Sequence, residues 1–260
     1  MLSALGKMDA FFQSLATDCS LSVDAERQLR QLGYVVVPGP VRPHGLASLA
    51  EAYDAAVASA DSNDVAVGRT TTRVHDFVNR GPAFDEIYVF PPLLKACCQV
   101  IGQPFKLSAM LARTLREGSP AQNLHVDFKR DAAGFPMVGF ILMIDDFRPD
   151  NGATRFVPES HTWTISLEDG VDHRTADYEG QSLACGAAGS MIIYNGSVWH
   201  GHTANASGKP RRSIQGSYIR RTAQSGFDLP SRMTPETLAR IDSRAKYLIS
   251  VQRGRSGVWK

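Results

Sequence analysis

A histidine and an aspartate stand two positions apart in NLHVDFKRD, residues 123–131. In an extended strand, residues i and i+2 point to the same side, so His125 and Asp127 would share one wall. An imidazole beside a carboxylate on a buried wall costs free energy unless something binds both, as a divalent metal ion does. A second pair with the same spacing, His200 and His202, lies in WHGHTANASGKPRRSIQGSY, residues 199–218, which also carries Arg211 and Arg212. One further imidazole from this pair would complete a two-histidine, one-carboxylate set. Three such ligands on one face of a metal leave three positions open, the arrangement of non-haem Fe(II) oxygenases. A keto-acid can chelate through its keto oxygen and one carboxylate, and O2 needs the remaining position. The far carboxylate of such a co-substrate needs a cation, and arginine's planar fork suits it best.

These residues need elements to position them. VDAERQLRQLG (23–33) has apolar residues at helical spacing and a glycine stop at Gly33. YVVVPG (34–39) reads as a short strand closed by Pro38-Gly39, HGLASLAEAYDAAVASA (44–60) returns to a helical period, and PPLLKACCQVIG (91–102) is a further helix opened by prolines. From about residue 105 the texture changes to short strands, expected near 105–116, 123–128, 137–146, 153–158, 183–185, 190–194, 199–203 and 212–220, with turn signals between them. Eight short strands suggest a jelly roll, and a helical first third makes the whole α+β. The expected organisation is one domain over 1–260: a mainly helical part at about 1–103, a jelly-roll core at about 104–221 and a C-terminal helical tail at about 222–260.

Composition excludes some function classes. At 260 residues with 43% hydrophobic and 21% charged residues, the chain has ordinary globular composition. A net charge near +2 with no dense basic cluster argues against nucleic acid as a partner. Arg220-Arg221 and Arg253-Gly254-Arg255 are expected on solvated surface. The four cysteines show no Cys-x-x-Cys spacing, and Cys97-Cys98 read as buried free thiols. The opening segment, broken by Lys7 and Asp9, does not read as a signal peptide, and no apolar run is long enough for a membrane span. A cytoplasmic protein without membrane association is the expectation.

Three pieces occur in order: His125-x-Asp127, then DNGATRFVPESH (150–161), then His200-x4-Asn205-x-Ser207-x3-Arg211. Together they resemble the phytanoyl-CoA dioxygenase-like (PhyH) family of Fe(II)/2-oxoglutarate-dependent oxygenases. LRQLGYVVVPG (29–39) is similar to the opening strand of that family, so the resemblance spans roughly residues 22 to 221. It implies a double-stranded β-helix (jelly-roll, cupin-like) core, with Fe(II), 2-oxoglutarate and O2 as cofactor and co-substrates. It implies His125, Asp127 and His200 as metal ligands, because the distal histidine precedes the arginine by eleven positions (211 − 200 = 11), whereas His202 stands nine before it. Arg211 would then hold the distal carboxylate of 2-oxoglutarate, and Gln122 is a candidate hydrogen-bonding partner of the co-substrate. Glu159 departs from the resemblance, standing where many members have glycine. Related halogenases have a small residue at the position of Asp127, so the carboxylate points to hydroxylation or a related oxidation.

The other polar residues have plainer readings. His161 is expected to hydrogen-bond structurally at a strand end, and His44 and His173 to be solvated. Asn205 and Ser207 should shape a turn, and Arg212 should face away from Arg211. Two alternatives share the scaffold: a cupin-like metalloenzyme that does not use 2-oxoglutarate, and a non-catalytic metal- or small-molecule-binding protein. The substrate, a small molecule, is expected to meet residues 67–90. There Arg73, His75 and Phe77 would bind it, with Phe77 and Tyr88 as apolar walls, unless RTTTRVHDFV (69–78) is a plain edge strand with solvated arginines.

Overall fold

A computed structural model of the chain describes residues 4–251, with side chains from residue 10. In chain order the elements are α1 (Ala4–Asp18), α2 (Val23–Leu32), β1 (Tyr34–Pro38), α3 (Leu46–Ala58), β2 (Val65–Val67), β3 (Thr71–Val74), α4 (Asp85–Tyr88), α5 (Pro91–Ile101), β4 (Phe105–Leu115), β5 (Met137–Met143), β6 (Thr154–Phe156), α6 (Leu167–Gly170), β7 (Ser182–Ala184), β8 (Ser190–Asn195), β9 (His200–His202), β10 (Arg211–Arg220), α7 (Pro235–Arg240) and α8 (Ser243–Ile249). The local signals explain the boundaries. Ser22 caps α2 by accepting from the Ala25 amide, and Gly33 ends it in the left-handed region at φ 83°. The turn then feeds β1 directly into the sheet.

Seven strands form one antiparallel sheet in the order β1-β8-β5-β10-β4-β3-β2, and β7-β6-β9 form a second. One face of the large sheet packs on the helices, with Leu93, Leu94 and Cys97 of α5 set among Phe105, Phe140 and Tyr218. The other face turns Tyr34, Ile141, Ile192 and Tyr194 inward with Phe156 of the small sheet. Central strand β5 is therefore buried at every position, and its sequence MVGFILM is apolar throughout rather than alternating. This is the expected α+β jelly roll with flanking helices.

Three expectations need correction. Residues 123–128 are not a strand: a single antiparallel bridge joins His125 to His200. Pairing stops there because the amides of Asp127 and Phe128 both donate to the Gly196 carbonyl, which turns the chain away from the short strand β9. Second, β3 is not an edge strand, since β2 covers it and forms the edge. Third, Arg220 is buried against Asp131 and the Gly134 carbonyl, and half-buried Arg221 bonds Ser250 and covers the Tyr247 ring. Arg253-Gly254-Arg255 lies outside the described residues, as does the end of the expected tail. Glu159 stands in the left-handed region at φ 68°, a conformation that glycine adopts without strain, which accounts for the residue that the resemblance leads one to expect there. Among the described residues no helix is long and apolar enough to cross a membrane.

Candidate metal centre

Strand β9 and the segment before Asp127 build the site. His125 and His200 exchange both backbone hydrogen bonds, N···O 2.9 and 3.0 Å, which brings their rings to 4.3 Å between centroids. His125 Nδ1 lies 3.1 Å from the Asn123 carbonyl and His200 Nδ1 2.9 Å from the Val198 carbonyl. A carbonyl only accepts, so each Nδ1 carries the proton and each Nε2 presents a lone pair, as metal-ligating histidines do. Asp127 lies between them, with Oδ1 3.6 Å from His125 Nε2 and Oδ2 3.5 Å from His200 Nε2. One ligand atom from each of the three falls within 4.8 Å of the others. Two ligands at right angles on an ion about 2.1 Å away stand roughly 3 Å apart, so a small closure would seat one ion. The donor set fits a divalent metal.

Electrostatics agree with that fit. Burial, and then the neighbouring His200, push His125 down to about 4, so it is neutral at physiological pH. Burial would raise Asp127, but His200, His125 and the Tyr194 hydroxyl hold it below the usual carboxylate range. Tyr194 donates to Asp127 Oδ2 at 2.7 Å. Its ring reaches there because its cross-strand partner is Gly139, where a Cβ would come within 2.2 Å of Tyr194 Cζ. Burial, reinforced by Asp127, drives the Tyr194 hydroxyl well up, so it stays a proton donor. No sequence pattern singled out Tyr194 or Gly139; their pairing depends on the β5–β8 register.

The cavity over these ligands, about 80 Å³, is also lined by Gln122, Arg113 and Arg211. Arg211 is 3% exposed, and its guanidinium lies 3.8 Å from the Phe147 ring centroid. Its Nε and Nη1 are buried without a hydrogen-bond partner. Burial, and then Arg113, push Arg211 down to about 9. A buried cation with unpaired donors facing a cavity is a receptor for an anion. Arg212, next in β10, faces the other way and pairs with Asp145 and Asp54.

A model of the phytanoyl-CoA dioxygenase (PhyH) family matches residues 29–213. The chain belongs to this family. Its relatives include Dioxygenase cdmA of Talaromyces verruculosus, 37% identical over 108 residues, a match covering 38% of this chain and 35% of that protein. Dioxygenase sphC of Aspergillus fumigatus is 25% identical over 214 residues, covering 74% and 56% respectively. The matches thus span from about a third to just over half the length of these relatives. The fold is similar to that of HygX from Streptomyces hygroscopicus, solved with nickel and 2-oxoglutarate bound, at a TM-score of 0.66 and 16% identity over 79% of this chain and 90% of that one.

The PhyH-family chain places its other singled-out residues as follows. Gln122 lines the cavity; its side-chain oxygen accepts from Arg113 at 3.3 Å, and its carbonyl accepts from the fully buried Arg155 at 2.8 Å. His202 also faces the cavity but stays off the three-ligand group, its Nε2 lying 3.3 Å from the Thr70 hydroxyl. His161 bonds the Arg30 carbonyl, and Asn205 bonds the Arg116 and Lys209 carbonyls, both as structural groups. Phe77 and Tyr88 are fully exposed to neither solvent nor cavity: Phe77 packs on Tyr53 and Phe84 in the helical core, and Tyr88 is buried in the same core. The expectation that they wall the substrate is therefore corrected. His75 stacks on Phe227, 5.9 Å away, outside the cavity. Arg73 stays exposed on β3, directly opposite Arg113 of β4. A second cavity of about 270 Å³ is lined by Ala109, Leu111 and Met137 and shares Asp127, Tyr194 and Gln215 with the first as lining residues.

Proposed function

We propose that the chain is a non-haem Fe(II)/2-oxoglutarate-dependent dioxygenase that hydroxylates a C–H bond of a small organic substrate, converting 2-oxoglutarate to succinate and CO2. The observation that carries this reading is Arg211: a buried guanidinium with unpaired donors, in the same cavity as His125, Asp127 and His200. A metalloenzyme with no keto-diacid would have no use for such a cation. When bound, Fe(II) together with 2-oxoglutarate and O2 supplies the oxidising power.

The chain's own residues do the rest. His125, Asp127 and His200 hold the metal on one side, and their hydrogen bonds to Asn123, Tyr194 and Val198 fix their orientation. Arg211 receives the distal carboxylate of the co-substrate, a charge-assisted pair of fixed direction. The Gln122 amide, already held by Arg113, can donate to it. The cavity of Ala109, Leu111 and Met137 offers the substrate an apolar wall next to Asp127. Asp127 occupies the position that a halide would need, which favours oxygenation over halogenation. HygX has been solved with hygromycin B bound, and such natural-product substrates support a comparable role in secondary metabolism.

The test is Fe(II)-dependent succinate formation from 2-oxoglutarate in air. Slow turnover that requires both Fe(II) and Arg211 is expected. Wild-type protein that neither binds nor consumes 2-oxoglutarate would overturn the proposal.

A further inference from the structure

Arg113 and Arg73 remain after the site is assigned, and both lie on the cavity side of the large sheet. They are directly opposite one another across the antiparallel pair β3–β4. Side chains in such positions stand about 5 Å apart at Cβ, and like charges there destabilise the pair. Arg113 is held by two neutral amides, donating to Gln215 Oε1 at 3.0 Å and Gln122 Oε1 at 3.3 Å. Among the described residues neither arginine makes an ion pair with a carboxylate. Elsewhere in this protein arginines near acids pair readily: Arg212 takes Asp145 and Asp54, and Arg80 and Arg232 share Asp64. Arg113 lines the cavity, so its lack of a carboxylate partner leaves a positive charge facing the site, and Arg73 stands beside it on the exposed side of β3.

Charge counting points the same way and rests on the function proposed above. In the loaded site, the two charges of the metal and of the co-substrate dianion cancel. Asp127 then offsets one of the two cavity guanidiniums, Arg113 and Arg211. Arg211 has the distal carboxylate as its partner, which leaves Arg113 uncompensated, and Arg73 adds a further positive charge at the rim. A half-buried cation without a counter-charge is costly unless a ligand supplies one.

We propose that Arg113 and Arg73 form an oxyanion subsite for the substrate, which is therefore a largely apolar molecule bearing one carboxylate or phosphate-ester group. Ala109, Leu111 and Met137 take the apolar body, and the anion anchors it at the β3–β4 edge. Two guanidiniums approaching from adjacent strands can each fork onto one oxyanion. Gln215 and Gln122 hold the Arg113 fork in place, so little side-chain freedom is lost on binding. The substrate's reacting carbon then lies between that anchor and Asp127, because both cavities share the Asp127–Tyr194–Gln215 wall.

The experiment uses the anaerobic protein loaded with Fe(II) and 2-oxoglutarate, titrated with benzoate, phenyl phosphate and benzamide while the visible charge-transfer band is followed. At least one of the two anions should bind roughly ten- to a hundredfold more tightly than benzamide, as charge-assisted bonding implies. The benzoate and phenyl phosphate arms tell which oxyanion is preferred. Arg113→Gln should bring the anion and the amide close to equality, Arg73→Gln should narrow the gap several-fold, and Arg113→Lys should restore part of it. In Arg73→Gln the 2-oxoglutarate titration should shift less than about twofold, and in Arg113→Gln, which also frees the Gln122 amide, it should shift less than the anion affinity does. The inference is overturned if wild type binds benzamide as well as either anion, or if Arg113→Gln weakens 2-oxoglutarate instead. Failure of the band itself in wild type would overturn the underlying function, a result distinct from a band that forms but ignores the anions.

Discussion

Replacing Arg211 by methionine should uncouple stability from co-substrate binding. Arg211 is 3% exposed, with Nε and Nη1 unpaired. Each such donor costs about 1–3 kcal/mol, and the cation–π contact with Phe147 returns up to about 2 kcal/mol. Methionine keeps most of the apolar stem and can rest its sulfur on Phe147. The ligand-free variant should therefore be as stable as wild type or more stable by about 1–2 kcal/mol. The sign can be checked with pH. Folding lowers Arg211 to about 9 from its ordinary value near 12.5, so the unfolded chain binds the extra proton between those values. Wild-type stability should rise as pH climbs past about 9, and this increment should vanish in the variant. Binding moves the other way: losing the charge pair should weaken 2-oxoglutarate by about 2–5 kcal/mol, roughly thirtyfold to several-thousandfold. Urea unfolding of metal-free protein gives the first quantity, and 2-oxoglutarate titration gives the second. A variant destabilised by more than about 2 kcal/mol that still binds 2-oxoglutarate normally would refute the reasoning, because Arg211 would then be a structural group.

Three further outcomes follow from the geometry. Tyr194→Phe should lower Fe(II) affinity about tenfold or more with the fold intact, while Gly139→Ala, which drives a Cβ into the Tyr194 ring, should do the same and also cost about 1–3 kcal/mol of stability; equal metal affinity in all three proteins would remove Tyr194 from the site. Burial pushes His202 down to about 4, below its unfolded value near 6.5, so stability should fall by roughly 3 kcal/mol as pH drops through that window, and His202→Gln should flatten the slope seen by urea unfolding; identical slopes would contradict this. Phe77→Ala should cost about 3–5 kcal/mol of stability, with no change in 2-oxoglutarate affinity of the protein that remains folded; a normal urea midpoint would return Phe77 to the list of cavity residues.

His125, Asp127, His200 and Arg211 could be singled out as candidates because the chemistry needs particular residue types and the family resemblance fixes their order, and the structure brings the first three within 4.8 Å of one another. The strand expected at 123–128 was misplaced for a reason that no local pattern carries. The Gly196 carbonyl, 69 positions beyond Asp127 in sequence, captures the amides of Asp127 and Phe128 and bends the chain off β9. The helices α2, α3 and α5 were readable from period and caps, whereas β2 was not, since three residues carry too little periodicity. Phe77 was misread for a related cause: an aromatic among arginines looks like a binding wall, but the short turn after β3 rotates it into the helical core. The apolar cavity beside Asp127 is lined instead by Leu111 and Met137 from β4 and β5, ordinary strand residues whose proximity to Asp127 is a product of register. Arg113 escaped notice in the same way, since its partner Arg73 lies forty positions earlier and meets it only through β3–β4 pairing.

We propose that His125, Asp127 and His200 bind one Fe(II) and that Arg211 completes a 2-oxoglutarate site beside it. Anaerobic addition of Fe(II) and 2-oxoglutarate, followed by visible absorption, tests it directly. Wild type and His202→Ala should both develop the charge-transfer band of the chelate, while His125→Ala and His200→Ala should not, and Arg211→Met should need far more 2-oxoglutarate to reach it. A wild-type protein with no band, or a band that survives in His200→Ala and disappears in His202→Ala, would contradict the account.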